Sequence, residues 1–191
     1  MVNIIYDYNT ICKNETEVKI AEQEHKDTFI VAQTFGDIFN YDVTVTQTPQ
    51  YTSYDLDVEI NKSKLAVEVK EYNLTEENEK KYGKNVMLKV DKLMRMQQAS
   101  VGKKLLYTVI LNKKDLVIFD CSKVDWASLK IVPIKQKKTQ FDPNSEYVYL
   151  PTYIIPCKYA VKTVPCEINY WVYEEFEEKP HFEINANNKQ T

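Results

Sequence analysis

Two long segments of the sequence carry side chains at the spacing of an amphipathic helix. The first, residues 15–39, contains no proline, and one face would present Val18, Ala21, His25, Phe29, Ala32 and Phe35. The second, residues 86–100, repeats the pattern at Val86, Val90, Leu93, Met94 and Gln97. Side chains that recur every three or four residues line one face of a helix, which then packs against a sheet. The sequence therefore predicts helices over both segments.

Five shorter segments have the alternation or the apolar run of a β-strand. They cover residues 41–47, 55–60, 64–72, 103–112 and 115–120. Successive side chains of a strand point to opposite faces, so alternation indicates a strand with one buried face. The first three segments lie close together along the chain and predict a meander. The last two predict a hairpin that follows the second helix.

The pattern is weaker after residue 121. A short helix is predicted over 122–129, and short strands interrupted by prolines follow beyond residue 130. Residues 166–178 fit either a helix or an extended segment, and residues 184–191 are predicted to be a frayed tail. The sequence thus predicts an α/β protein with a core over residues 1–125. A β-rich extension over residues 126–191 is expected to pack on that core.

Composition and charge narrow the class of protein. The chain has 191 residues, 43% of them apolar and 28% charged, which is typical of one globular domain. Its formal net charge of −3 provides no general attraction to nucleic acid, so any such surface must be a local basic patch. The three glycines, at positions 36, 83 and 102, are too far apart for a glycine-rich phosphate loop.

The sequence indicates a cytoplasmic protein that makes no contact with a membrane. It begins without the basic and apolar regions of a signal peptide. No apolar stretch approaches the roughly 20 residues that span a bilayer. The four cysteines are dispersed and form no C-x-x-C pair, which favours reduced thiols over disulfides or a zinc site.

The segment "YDLDVEINKSKLAVEVKEY", residues 54–72, places ionisable side chains in two predicted strands. Glu68 and Lys70 share one face of the second strand, and antiparallel pairing would bring an acid of the first strand close to them. Adjacent carboxylates raise each other's pKa unless a divalent cation neutralises them, and Mg²⁺ prefers such oxygen ligands. A lysine beside them could orient a water molecule and neutralise charge on a phosphate. These groups suffice to hydrolyse a phosphodiester, although a solvated strand face has the same residue types.

This arrangement resembles the PD-(D/E)XK nuclease superfamily, which has the restriction-endonuclease-like fold. The resemblance covers residues 15–120 and includes the order of the elements: helix, three-strand meander, helix, strand. The gap between Asp55 and Glu68 is most similar to that of archaeal-type Holliday-junction resolvases. Tyr54 stands where the superfamily pattern has a proline. The resemblance implies a restriction-endonuclease-like core, followed here by the β-rich extension.

The resemblance also implies a deoxyribonuclease that depends on Mg²⁺ or Mn²⁺. It assigns Asp55 and Glu68 as metal ligands, together with the backbone carbonyl of Val69. Lys70 would be the catalytic lysine. Asp57 is the alternative to Asp55, because both side chains point to the same side of the predicted strand.

Many members of this superfamily also carry a glutamate on the first helix, facing the catalytic site. Glu22, Glu24 and Glu17 are the candidates in this sequence. Glu22 is preferred because it neighbours Ala21 and His25 at the edge of the helix's apolar stripe.

A nuclease needs cations that contact DNA phosphates, and the sequence offers several groups of them. They are Lys89, Lys92 and Arg95 on the second helix, Lys103 and Lys104 before the next strand, and Lys135, Lys137 and Lys138 in the extension. Each positioned cation contributes salt-dependent binding that does not depend on base sequence. DNA is therefore the expected partner. The alternative is that these lysines only solubilise the surface.

Three functional hypotheses stay open on the sequence. The first is a Mg²⁺-dependent nuclease, in which case a junction resolvase is expected to be a symmetric homodimer because a junction is cut twice. Restriction-type endonucleases and exonucleases would use the same core. The second is a non-catalytic DNA- or protein-binding scaffold that keeps the fold. The third is an α/β interaction module unrelated to nucleases.

Overall fold

The computed structural model describes residues 1–7, 11–39, 41–49, 52–138, 144–175 and 182. The helices are α1 (Glu15–Phe39), α2 (Glu76–Tyr82), α3 (Val90–Ala99) and α4 (Glu167–Glu174). The strands are β1 (Val2–Ile5), β2 (Val43–Gln47), β3 (Leu56–Ile60), β4 (Ser63–Tyr72), β5 (Asn85–Lys89), β6 (Lys104–Leu111), β7 (Asp115–Asp120), β8 (Lys130–Lys137), β9 (Tyr147–Pro156) and β10 (Lys162–Pro165). The predicted frayed tail lies outside the described residues.

The strands form two sheets. The main sheet has seven strands in the order β1–β2–β3–β4–β6–β7–β10. β1 runs parallel to β2 and β4 parallel to β6, whereas the other neighbours are antiparallel. The second sheet is antiparallel, in the order β5–β9–β8. The predicted α/β class is therefore confirmed, with a mixed sheet at its centre.

The main sheet is covered on both faces. On one face α1 and α4 enclose an apolar core in which Phe35, Val67 and Ile110 have no exposed surface. On the other face α3, β5 and β9 enclose a second core around Tyr107. Burying a large apolar side chain stabilises a fold by roughly 1.5–3 kcal/mol. β4 is therefore buried over most of its length, and Glu68 is a carboxylate set within this apolar strand.

The elements that carry the candidate site occur as predicted. α1 has the predicted bounds, and β2, β3 and β4 form an antiparallel meander. β6 and β7 form the predicted hairpin after the second predicted helix. The ambiguous segment that begins at Cys166 is helical as far as Glu174, and its side chains pack on α1.

Other predicted elements are wrong in their bounds or type. The helix predicted over 86–100 begins at Val90, because residues 85–89 form β5 and pair with β9. Val86 and Leu88 are both buried, as alternate positions of a strand should be. The helix predicted over 122–129 is reduced to a single 3₁₀ turn at Trp126–Ser128. Neither β1 nor α2 was predicted.

The predicted extension contributes to both sheets. β8 and β9 build the second sheet, β10 pairs with β7 at the edge of the main sheet, and α4 packs beside α1. Phe182 is also buried, against Cys12 and Ala21 near the start of α1. In the described part of the chain, none of the helices has the length and apolarity required to cross a membrane.

A buried histidine of α1 makes the stability of the fold sensitive to acid. His25 stacks on Tyr6 with 3.7 Å between ring centroids, and its Nδ1 lies 3.1 Å from the Tyr173 hydroxyl. Burial lowers the pKa of His25 from 6.5 to about 4. The folded state therefore binds fewer protons than the unfolded state between these values. The contribution of His25 to the free energy of unfolding is fully present above pH 6.5. It falls by a few kcal/mol as the pH falls to about 4.

We expect His25→Phe to remove this part of the acid sensitivity, because phenylalanine keeps the ring contact with Tyr6 but does not titrate. Urea unfolding at pH 7, 5.5 and 4 would measure the free energy of unfolding of both proteins. Any amount by which the variant's free energy of unfolding is lower than that of the parent at pH 7 should shrink or reverse at pH 4. A deficit that stays constant over the three pH values would contradict the prediction.

Candidate active site

The start of β3 and the end of β4 bring two acidic side chains together. Leu56 pairs with Val67 in the antiparallel register, so Asp55, one residue before β3, lies beside Glu68. The backbone N–H of Val69 donates a hydrogen bond of 2.8 Å to Oδ2 of Asp55. This bond fixes the Asp55 side chain against β4. The structure thus brings Asp55 and Glu68 together as the sequence predicted, and their roles stay predictions.

Glu68 is a nearly buried carboxylate with 8% of its surface exposed. Burial first, and the nearby Asp55 carboxylate second, raise the pKa of Glu68 well above its ordinary value. Lys92 opposes this effect, because its Nζ lies 2.9 Å from Oε2. The Lys92 ammonium thus neutralises part of the charge on this buried oxygen, for which the described residues provide no further hydrogen-bond donor.

The pKa of Asp55 is likewise raised by burial and lowered by neighbouring groups. Burial raises its pKa, and this effect exceeds the lowering by Lys92, by the Val69 N–H and by a hydrogen bond with Glu68. Two carboxylates that share a hydrogen bond cannot both be ionised at low cost in such a place. The pair must therefore share a proton or be neutralised by cations.

The donors at this position fit a hard divalent cation. In a strand, the N–H and C=O of one residue point to the same side, so the Val69 carbonyl faces the side on which Asp55 lies. Mg²⁺ is commonly bound by one or two carboxylates and completes its octahedron with water and phosphate oxygens. No cage of three or more acidic, histidine or cysteine side chains exists among the described residues. Asp55, Glu68 and the Val69 carbonyl would together form an open ligand set of the kind that Mg²⁺ accepts.

α1 adds two acids to the site, but not the one preferred from the sequence. Glu22 is exposed and is not among the residues that line the cleft, whereas Glu24 is, so position favours Glu24 over Glu22 and the role of either stays a prediction. Glu24 and Asp27 both line the cleft beside Asp55. Burial, with Asp55 as a further cause, raises the pKa of each of them to about 7. Glu17, the third candidate, accepts a hydrogen bond of 2.7 Å from the Lys13 N–H at the start of α1.

Asp57, the alternative to Asp55, has a different environment. Its carboxylate forms an ion pair of 2.6 Å with Lys103 and does not line the cleft. Nζ of Lys103 also donates a hydrogen bond of 2.8 Å to the hydroxyl of Tyr54, which replaces the proline of the superfamily pattern. Position alone therefore favours Asp55 as the ligand.

An open cleft of about 800 Å³ surrounds the paired carboxylates. Lys70 lies at its wall and is exposed, and no ion pair of Lys70 occurs within the described residues. Lys89, Lys92 and Arg95 also line the cleft, as predicted for the second helix, although Lys89 belongs to β5. Burial lowers the pKa of Lys89, with nearby cations such as Lys70 contributing. The cleft is therefore lined by acidic and by basic side chains.

Lys103 and Lys104, predicted to contact DNA, lie elsewhere. Lys104 pairs in register with Leu65, whereas Lys70 pairs with Val109, five residues further along β6. At about 3.3 Å per residue this is roughly 16 Å from the site. Lys104 forms an ion pair with Asp120, and Lys103 with Asp57. We therefore leave both lysines out of the candidate DNA interface.

Some residues of the cleft were missed by the sequence analysis. Asp27 follows Glu24 by three residues, a spacing that places both on one helix face and could have indicated the second acid. Gln23 donates hydrogen bonds to Oδ1 of Asp27 (2.7 Å) and to Oε2 of Glu71 (2.9 Å). This bridge links α1 to the end of β4. It depends on a contact between distant parts of the chain, for which the sequence contains no local pattern.

Comparison with solved structures reveals distant similarity at the level of the fold. No family model and no curated protein matches the sequence. The fold is similar to the structure of Hjc, a Holliday junction resolvase from Archaeoglobus fulgidus, with 12% identity and a TM-score of 0.39. The match covers 66% of this chain and 87% of that chain. A similarity this low establishes neither a family nor a function, so the site must be judged on its own geometry.

Proposed function

We propose that this protein is a Mg²⁺- or Mn²⁺-dependent deoxyribonuclease that hydrolyses phosphodiester bonds. The observation that carries the proposal is the buried Asp55–Glu68 pair in an open cleft, where both carboxyls have raised pKa values and Lys92 is their one ion-pair partner among the described residues. Buried carboxylates with strongly raised pKa values in a cleft are typical of functional sites. The resemblance of the Asp55, Glu68 and Lys70 pattern to the PD-(D/E)XK superfamily supports the same function.

Each residue of the cleft has a separate role in the proposed reaction. Asp55, Glu68 and the Val69 carbonyl would hold the cation, which when bound acts as a Lewis acid on the phosphate and on water. Lys70 orients the attacking water and neutralises charge that develops on the phosphate. Glu24 has a pKa of about 7 and is therefore a suitable proton acceptor at neutral pH. Lys89 and Arg95 contact the phosphates of the DNA backbone.

A second candidate function is a non-catalytic DNA- or protein-binding scaffold. The observation that favours it is the ion pair between Lys92 and Glu68, with 2.9 Å between Nζ and Oε2. This ammonium group supplies part of the positive charge that the paired carboxylates require. A protein that had lost its metal could keep the fold in this way.

The two functions are separated by measuring metal binding and cleavage on the same preparation. Calorimetric titration with Mg²⁺ and Mn²⁺ tests the ligand set. Labelled duplex, single-stranded, flapped and four-way-junction DNAs test cleavage, and the preferred substrate would identify the kind of nuclease. Binding together with cleavage supports the nuclease, whereas neither metal binding nor cleavage on any substrate overturns it and leaves the scaffold.

A further inference from the structure

The β8–β9 hairpin, here called the arm, presents two different faces. Its register pairs Lys135 with Tyr149 and Lys137 with Tyr147. Side chains directly opposite each other in an antiparallel pair lie on the same face. These four residues therefore share one face, here called the outer face of the arm. The alternate positions lie on the other face, and three of them, Ile134, Gln136 and Thr152, line the cleft.

The outer face is aromatic and basic. Tyr147 and Tyr149 are 61% and 68% exposed and lie two residues apart on one strand. Nζ of Lys135 lies 5.3 Å from the ring centroid of Tyr147. β8 and β9 contain no aspartate or glutamate, although the whole chain has a net charge of −3. This face is thus a local cationic surface with two exposed rings.

We propose that the outer face of the arm binds a single-stranded segment of DNA. Exposed rings stack on unpaired bases, and nearby lysines contact the backbone phosphates. A duplex keeps its bases stacked inside and could use only the lysines. The complete absence of acids on both strands is the charge pattern that a polyanion requires, and it does not suit a basic protein partner.

The position of the arm connects this surface with the candidate active site. Ile134, Gln136 and Thr152 of the arm line the same cleft as Asp55 and Glu68. The arm therefore separates the outer face from the cleft, and a single strand held there could reach the cleft around β8, the edge strand of its sheet. The inference rests on the proposed function for the choice of DNA, and it specifies a substrate with an unpaired segment some distance from the cleaved bond.

The test is equilibrium binding of a fluorescein-labelled 20-residue oligothymidylate, followed by anisotropy in EDTA so that no cleavage occurs. Tyr147→Ala and Tyr149→Ala should each weaken binding roughly 5- to 150-fold, since base–aromatic stacking contributes about 1–3 kcal/mol per base. Tyr147→Phe should bind as the parent does. Lys135→Ala should reduce the slope of log K against log salt by about 0.7. The matched control is Tyr41→Ala, which removes a ring that is 60% exposed away from the arm.

Several outcomes would overturn the inference. They are a loss below twofold for both alanine variants, an equal loss for Tyr41→Ala, an equal loss for Tyr147→Phe, or an equal loss with a duplex of the same length. Thermal unfolding of each variant shows that the fold is kept. Failure of the proposed function is distinguishable, because binding is measured in EDTA, independently of any cleavage. A protein that binds it through the arm but cleaves no DNA would refute only the nuclease.

Discussion

Replacing Asp55 by asparagine will lower Mg²⁺-dependent DNA cleavage on the order of 10³-fold without unfolding the protein. Asparagine keeps an oxygen that can accept the 2.8 Å hydrogen bond from the Val69 N–H. It removes the negative charge that, with Glu68, would bind the cation. It also removes a repulsion, because Asp55 is a cause of the raised pKa of Glu68. The apoprotein should therefore unfold at the same temperature as the parent or higher, and the Mg²⁺-induced increase in that temperature should disappear.

Asp57→Asn is the matched control for this prediction. Asp57 lies two residues away on the same strand, but it pairs with Lys103 and does not line the cleft. Its variant should cleave DNA within a few-fold of the parent rate. Cleavage assays on the preferred substrate, with thermal unfolding at several Mg²⁺ concentrations, measure both variants. An active Asp55→Asn beside an inactive Asp57→Asn would show that the ligand has been assigned to the wrong residue.

The pairing of Asp55 with Glu68 could be predicted because it depends only on short-range pattern. Alternation identified β3 and β4, and the short connection between them made an antiparallel pair the expected arrangement. The bounds of α1 could also be predicted, since its periodicity continues over 25 residues. The sequence did not allow a firm choice among Glu17, Glu22 and Glu24. Neighbouring residues on a helix differ in direction by about 100°, so the correct glutamate depends on how α1 is rotated against the sheet.

The features that could not be predicted depend on contacts between residues that are far apart in the sequence. Val86 and Val90 fit a helix by their spacing of four residues, but the same residues fit alternate positions of a strand. Pairing with β9, about 60 residues later, makes 85–89 a strand. Lys92 and Lys104 looked equivalent as cations along the sequence. Only the fold places Lys92 against Glu68 and Lys104 against Asp120.

The acidic residues of the cleft reduce the stability of the folded protein, which indicates that they serve a function. Asp55, Glu68, Glu24 and Asp27 all have raised pKa values, so each is costly to ionise in the folded protein. Amide or apolar side chains in these places would avoid that cost. Local choices that oppose stability are expected at functional sites and are rare elsewhere. Four of them around one cleft therefore support the proposed function over a merely solvated surface.

Replacing Lys70 by alanine will reduce cleavage roughly 10²- to 10⁴-fold while leaving metal binding in place. Lys70 lies two residues beyond Glu68 on β4 and lines the cleft. Because its side chain is exposed, its loss should change the free energy of unfolding by no more than about 0.5 kcal/mol. Mg²⁺ should still raise the unfolding temperature, since Asp55 and Glu68 are unchanged. The expected result is therefore a protein that binds the metal and DNA but does not cleave, seen by calorimetry, anisotropy and single-turnover assays.

Lys92→Ala is the comparison that separates the two lysines of the site. Lys92 is an ion-pair partner of Glu68, so its loss leaves the paired carboxylates less compensated and should destabilise the apoprotein by about 3 kcal/mol. Mg²⁺ should offset much of that loss, and the metal-induced increase in unfolding temperature should exceed that of the parent. In Lys70→Ala this increase should equal that of the parent. If Lys70→Ala instead cleaves at the parent rate, Lys70 is a solvated lysine and the assignment of the catalytic lysine fails, whatever Lys92→Ala shows.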